Sequence, residues 1–354
     1  MLKNILLTLV SILFCLLVLE LTLHFLPVDE GLRTQPVNES APIYHFEPNR
    51  VSTWSRFPDF SMRNEVRTNN YGFLNDQDYT PDGELPVLAV IGDSYVEAAM
   101  VPYKDTLHGR LADDFKNEYR VYSFGVSGAP LSQYLAFAEF ARDEFKPQKM
   151  VFIVVGNDFD ESLVNFKQSP GFHYFAPNPD GKLNLVLKDY EPSAGKEILA
   201  ASHLVRYLVI NVRVQDVFKH IITPNRDGNY VGQTIANSEE QRVSASQKAV
   251  MAFLEMLPEK SGLRPESIIF VVDGPRPHLY EDDWTLQVKN SYFEIMRDFF
   301  IDKAHERGYN TIDMTPLFIN DYKGNHLKFE YPKDGHWNAR GHSLAAEAVQ
   351  KKLQ

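Results

Sequence analysis

The sequence holds a single cysteine, Cys15, in 354 residues. No internal disulfide can form, and no site of several thiolates can be built. Basic residues are in deficit, with 36 Lys and Arg against 47 Asp and Glu, so the net charge is −11. That deficit argues against a nucleic-acid binder, which must neutralise phosphates. It also argues against adsorption to anionic lipid through surface charge. There is no internal repeat and no low-complexity tract. The fractions that remain, 44% apolar, 12% aromatic and 23% charged, describe an ordinary globular chain rather than a disordered one.

One long apolar run stands out. From Ile5 to Leu19 there is no charge and no proline; Glu20 interrupts, and apolar character resumes to Leu26 before Pro27. Residues 5–26 would reach about 33 Å as a helix at roughly 1.5 Å per residue, enough to span a hydrocarbon core of about 30 Å. A cleavable signal peptide is the rival reading, because the uninterrupted part fits an apolar core of that kind. No small-x-small cleavage site follows it, and Phe14 before Cys15 is unlike a lipoprotein acceptor. We therefore expect an uncleaved signal anchor over residues 1–28. Lys3 flanks one side and Asp29 and Glu30 the other. The positive-inside rule then gives a single-pass protein of the cell (inner) membrane, N-terminus cytoplasmic and the rest extracytoplasmic or periplasmic.

Residues 29–85 are rich in Pro, Asn, Asp and Arg, and read as a stalk and an N-terminal arm covering the domain. The main domain is expected over 86–354. Val87–Ile91 is a short all-apolar run, as for a strand buried on both faces. Similar runs recur at Tyr119–Phe124, Met150–Val155 and Ser267–Val272. Helical patterns lie between them, at Lys104–Asn117, Leu131–Phe145, Glu239–Leu257 and Trp284–Arg307, and from Ala339 onward. The alternation predicts a three-layer α/β domain on a doubly wound, mostly parallel sheet. Residues 160–237 break the rhythm and read as an insertion, with a hairpin signal at Asn178-Pro179-Asp180-Gly181 and a helix over Ser202–His220.

Each expected strand runs into a polar turn: Gly92-Asp93-Ser94, Gly125-Val126-Ser127-Gly128, Gly156-Asn157-Asp158 and Asp273-Gly274-Pro275. In an open α/β sheet these turns share one edge, where ligands bind. Asp334-Gly335-His336-Trp337 precedes the last helix. A serine hydroxyl needs a base to take its proton, and an imidazole oriented by a carboxylate is the usual one. Ser94, His336 and Asp334 supply these parts. The N–H groups of Ser94 and Gly128 and the amide of Asn157 are candidate donors to an oxyanion. Taken singly, each turn has a bland reading as a turn or helix cap. Four in order, three of them directly after expected strands, carry the argument.

Together these pieces resemble the SGNH (GDSL-type) hydrolase family, from about Val87 to the C-terminus apart from the insertion. The resemblance implies the SGNH hydrolase, flavodoxin-like fold. It implies Ser94 as nucleophile, His336 as base, Asp334 as orienting carboxylate, and Ser94, Gly128 and Asn157 as the oxyanion hole. It implies no cofactor and no metal. The anchor with its Glu and Thr68-Asn69-Asn70-Tyr71-Gly72 look like a membrane-anchored bacterial branch. Asp334 and His336 are two apart where the family's common spacing is three, which keeps Asp273 as a second candidate for the carboxylate. Asp-x-His-Trp also looks like polysaccharide O-acetyltransferase relatives of this fold. The expected function is an esterase acting on acyl esters, O-acetyl above all, of an envelope glycan or lipid through an acyl-serine. The alternatives are an O-acyltransferase with the same triad and a non-catalytic glycan-binding or assembly module. Arg276 and His278 are candidate rim contacts. Tyr95, Tyr134, Phe159, Phe172, Tyr174 and Phe175 could line a sugar or acyl subsite but read mainly as core, and His342 reads as packing or contacting solvent.

Overall fold

The computed structural model describes residues 1–193, 195, 200–215, 229–231, 234–236, 238–276, 278–281 and 288–354. Helix α1 (Leu2–Leu23) is long and apolar enough to cross a membrane, and none of its most apolar stretch is buried in the protein. Strands β1 (Val51–Arg56) and β2 (Met62–Arg67) pair antiparallel. The central part comprises β3 (Val87–Gly92), the short α2 (Ser94–Glu97), α3 (Leu107–Asp114), β4 (Arg120–Gly125), α4 (Leu131–Phe145) and β5 (Lys149–Val154). The hairpin β6 (His173–Pro177) and β7 (Leu183–Leu187) follows, then the helical turn α5 (His203–Arg206), which runs on as a π turn to Asn211. A small pair, β8 (Asn229–Val231) and β9 (Thr234–Ala236), leads to α6 (Glu240–Ser261) and β10 (Ile268–Val272). The chain closes with α7 (Tyr292–His305), β11 (Asn310–Asp313), α8 (Met314–Asn325), β12 (Glu330–Tyr331), β13 (Asp334–Trp337) and α9 (Ala339–Leu353).

Among the described residues, five strands form one sheet in the order β11-β10-β5-β3-β4, every neighbour parallel. This is the doubly wound, flavodoxin-like order, with its topological switch between β3 and β5. Alternation along the strands fills two cores. Ala89, Ile91, Phe124, Phe152 and Phe270 face α4, α6 and α7. Leu88, Val90, Val121, Ile153 and Val271 face α3, α8 and α9. Two buried faces explain why these strands are apolar throughout rather than alternating.

Four expected strands and three expected helices lie where sequence periodicity put them. The fifth strand, β11, was not expected: Asn310-Thr311-Ile312-Asp313 is a half-exposed edge, buried only at Ile312. Helix α7 begins at Tyr292, behind the Ser291 cap, rather than at Trp284; residues 282–287 lie outside the described ones. The expected helix over Ser202–His220 is helical at 203–211, and 216–220 lie outside the described residues. Helix α6 runs past Leu257 to Ser261, with Pro258 inside its last turn.

Residues 29–85, expected as stalk and arm, pack against the domain along their length: Val37, Phe46, Trp54, Val66, Phe73 and Tyr79 are all buried. Thr68-Asn69-Asn70-Tyr71-Gly72 is a tight turn in this arm. Asn69 Oδ1 accepts the N–H groups of Tyr71 (2.9 Å) and Phe73 (3.1 Å). Gly72 sits at φ +80°, and its carbonyl accepts from Phe46 N–H at 2.9 Å. A Cβ at Gly72 would lie 2.1 Å from Phe46 O, a backbone atom that cannot step aside. Gly72→Ala should therefore destabilise the fold by about 3 kcal/mol, from positive-φ strain and the clash together. Urea unfolding measures this, and a change below about 1 kcal/mol would contradict it.

Candidate active site

Ser94 is placed by the end of β3. Asp93 caps α2 through Oδ1, which accepts Tyr95 N–H at 2.9 Å, and Ser94 opens that helical turn. His336 and Asp334 come from β13, which pairs antiparallel with β12. His336 Nε2 stands 2.7 Å from Ser94 Oγ, and His336 Nδ1 stands 2.5 Å from Asp334 Oδ1. The same carboxylate oxygen accepts His336 N–H at 2.9 Å, so a two-residue spacing suffices to orient the ring. With Nδ1 protonated toward Asp334, Nε2 is left to accept from the Ser94 hydroxyl. Burial is the largest influence on Asp334 and pushes its carboxyl up, but the His336 contacts outweigh it and hold it below its ordinary value. Asp334 is thus a carboxylate at neutral pH.

Asp273 does other work. Its Oδ1 accepts Trp337 Nε1–H at 2.8 Å, and its Oδ2 accepts from Arg276 at 2.7 Å. Arg276, a candidate rim contact, is buried, with 3% of its side chain exposed. Its guanidinium also donates to Gly335 O (3.1 Å) and to Tyr95 Oη (3.0 Å), and Tyr95 Oη–H donates to Gly335 O (3.1 Å). The ion pair therefore fixes the peptide between Asp334 and His336. The side chain of His278, the other rim candidate, lies outside what the structure describes.

Gly128 and Asn157 line the same cleft as Ser94 and His336. Gly128 takes φ +80° in the loop after β4. That loop is clamped by buried Glu97, which accepts Ser127 N–H (2.6 Å) and Ser127 Oγ–H (2.7 Å). Asn157 Nδ2 donates a long bond to Glu161 Oε2 at 3.4 Å. Glu161 pairs with Lys167, whose Nζ donates to Gly128 O at 2.8 Å. One ion pair thus ties the two loops that carry the candidate oxyanion donors.

The cleft measures about 690 Å³, within the range of about 300–1,000 Å³ usual for ligand sites. Trp54, Arg56 and Phe57 from the arm form one wall; Val209, Ile210, Arg213 and Gln215 form another. Sequence reasoning missed both walls, together with Glu97, Glu161 and Lys167. Only Glu161 carried a hint, three residues beyond Asp158 in a strand-end turn. Of the six aromatics, all are buried, and Tyr95 alone also reaches the cleft. His342 is buried, and its Nδ1 accepts Leu107 N–H at 3.2 Å. Among the described residues no group of three or more His, Cys, Asp or Glu is arranged to hold a metal ion.

A serine, an imidazole and a carboxylate in one hydrogen-bonded line, at the switch point of a doubly wound sheet, is the constellation of serine-dependent acyl transfer. The chain matches no family model and no curated protein. It is similar to several solved structures. One is a lipase from a goat rumen metagenome, at 13% identity and TM-score 0.41, covering 75% of this chain and 97% of that one. Another is a member of the lipolytic protein G-D-S-L family from Veillonella parvula, at 12% identity and TM-score 0.37, covering 75% and 96%. A third is an alpha/beta hydrolase enzyme from the metagenome of Lake Arreo, Spain, at 13% identity and TM-score 0.41, covering 77% and 97%.

Below the site, Asp158 is fully buried. Its Oδ2 accepts from Tyr134 Oη (3.0 Å) and Val155 N–H (2.8 Å), while Oδ1 has no partner. Burial first, and the nearby Asp93 charge second, push its carboxyl well above the ordinary range. A carboxyl raised in the fold is ionised more readily in the unfolded chain, so it costs stability as pH rises above its unfolded value. Asp158→Asn keeps an oxygen for both donors and removes that cost. Its stability relative to the wild type should improve from about pH 5 to about pH 8, as read by thermal unfolding. A gap that stays constant or narrows would contradict this.

Proposed function

We propose that the protein is a membrane-anchored, extracytoplasmic serine esterase, acting on acyl esters, O-acetyl among them, of an envelope glycan or lipid. One observation carries the reading: the unbroken line Ser94 Oγ–His336 Nε2, His336 Nδ1–Asp334 Oδ1, at 2.7 and 2.5 Å. As Ser94 Oγ attacks the ester carbonyl carbon, its proton passes to His336 Nε2. The imidazolium is stabilised by ionised Asp334. The tetrahedral oxyanion draws on Gly128 N–H, on the Asn157 amide and on Ser94 N–H. Asn157 Nδ2 has two N–H groups, so its long bond to Glu161 leaves one for substrate. Collapse breaks the ester C–O bond, and the leaving alkoxide takes the proton from His336. Water then repeats the sequence on the acyl-serine, releasing the acid and restoring Ser94.

A sugar hydroxyl in place of that water would make the same residues an O-acyltransferase. The cleft volume admits a sugar unit, which favours keeping this as the second reading.

Ser94→Ala should lower hydrolysis of 4-nitrophenyl acetate at least 10³-fold or so, and Asp334→Asn by roughly 10³–10⁴-fold. The wild type should also react with a fluorophosphonate probe, and His336→Ala should suppress the labelling. An unreactive wild type would leave a glycan-binding module as the better account. Lys167→Met keeps the triad but unties Gly128 from Glu161. It should lower kcat by about 10–100-fold with KM within about twofold. A rise in KM with kcat unchanged would show that Lys167 holds substrate rather than the oxyanion loops.

A further inference from the structure

We propose that the ester is carried by a membrane lipid and is cleaved at the bilayer surface, because one wall of the cleft is built directly on the membrane helix. The proposal rests on the esterase reading and narrows its substrate. Glu20 lies within the last turn of α1, where an unpaired carboxylate at the edge of hydrocarbon is costly. It is paired from outside: its carboxylate accepts Ser202 Oγ–H (2.7 Å), His203 N–H (2.8 Å) and Leu204 N–H (2.9 Å). The first N–H groups of a helix have no partner within it. Glu20 thus shares with Ser202 the capping of α5, across 182 residues of sequence. The His24 ring packs edge-on against His203, centroids 4.7 Å apart.

From there the chain leads straight to the cleft. The helix continues as the π turn Tyr207–Asn211, and Val209, Ile210, Arg213 and Gln215 line the same cleft as Ser94 and His336. Leu204 to Ile210 is six steps, no more than about 9 Å at roughly 1.5 Å per residue. The polar layer of one leaflet is about 5–8 Å deep. The wall therefore stands at the level of lipid headgroups. Its far end is fastened to the arm. Asn211 Nδ2 donates to Ser55 Oγ at 2.8 Å, and Tyr207 Oη donates to Pro58 O at 3.2 Å. Phe25, Leu26, Leu208 and Val209 remain exposed along this path. Grouped exposed apolar residues next to a membrane helix suit partial insertion into the interface. Cleavage after α1 would strip α5 of the Glu20 carboxylate and leave backbone donors unpaired. A glycan ester far out in the wall would find the cleft at the wrong height.

The test uses the full chain in vesicles of phosphatidylcholine and phosphatidylglycerol. Glu20→Leu should lower hydrolysis of bilayer-dissolved 4-nitrophenyl hexadecanoate at least about fivefold, and leave water-borne 4-nitrophenyl acetate within about twofold. Equal effects on both esters, or none on either, would overturn the proposal. A second reading needs no turnover. In a Cys15→Ser background, bimane on Leu208→Cys should be quenched by headgroup-nitroxide lipid, and bimane on Leu327→Cys, an exposed position between α8 and β12, should not. Equal quenching at the two positions would also overturn it. A wild type inert toward both esters, with quenching confined to position 208, defeats the esterase reading and leaves the cleft's placement at the membrane standing.

Discussion

The geometry at Ser94 depends on one buried ion pair, Arg276 with Asp273. Its members lie just after β10, yet their hydrogen bonds reach Tyr95 beyond β3 and Gly335 and Trp337 in β13. Three strand-end segments are thereby held to one charge. Removing Arg276 would leave Asp273 buried and uncompensated, which is far costlier than losing the pair together; removing Asp273 would leave Arg276 only its longer pair with Glu330 at 3.6 Å. The charge stabilises the site less through its own attraction than by fixing the β13 backbone, from which both Asp334 and His336 project. The two-residue spacing of that carboxylate and imidazole is workable because Gly335 is pinned between them.

A similar economy holds the facing loops. Glu97 binds the loop after β4 through both donors of Ser127. Glu161 and Lys167 join that loop to Asn157. Donors to a developing charge are useful only if they need not reorganise when it appears. Here the two loops that carry the candidate donors Gly128 and Asn157 are each tied to a neighbour by a carboxylate. The acidic excess that argues against nucleic acid is thus partly spent inside the site.

Much of this was legible in the chain. Strands buried on both faces announce themselves as apolar runs, so β3, β4, β5 and β10 were readable, and their parallel order put Ser94, Gly128 and Asn157 on one edge. The edge strand β11 was not, because half of it faces solvent and its residues are mixed. The extent of the arm's packing was not legible for another reason. Its buried residues, such as Val37, Phe46 and Tyr79, are spaced by turn residues with no period, and irregular packing leaves no periodic signal. The side chains that secure the site, Glu97, Glu161, Lys167 and Arg276, are charged residues made useful by tertiary neighbours that sequence spacing does not reveal. His342 shows the converse: a histidine near the site that serves only to accept a helix N–H.

Ser94 and His336 are separated by 242 positions. On a ribosome adding about 5–20 residues per second, the imidazole is made roughly 10–50 s after the hydroxyl it meets. Throughout that interval the nascent polypeptide carries that hydroxyl without His336 beside it. The contact between them can form only when the closing stretch docks.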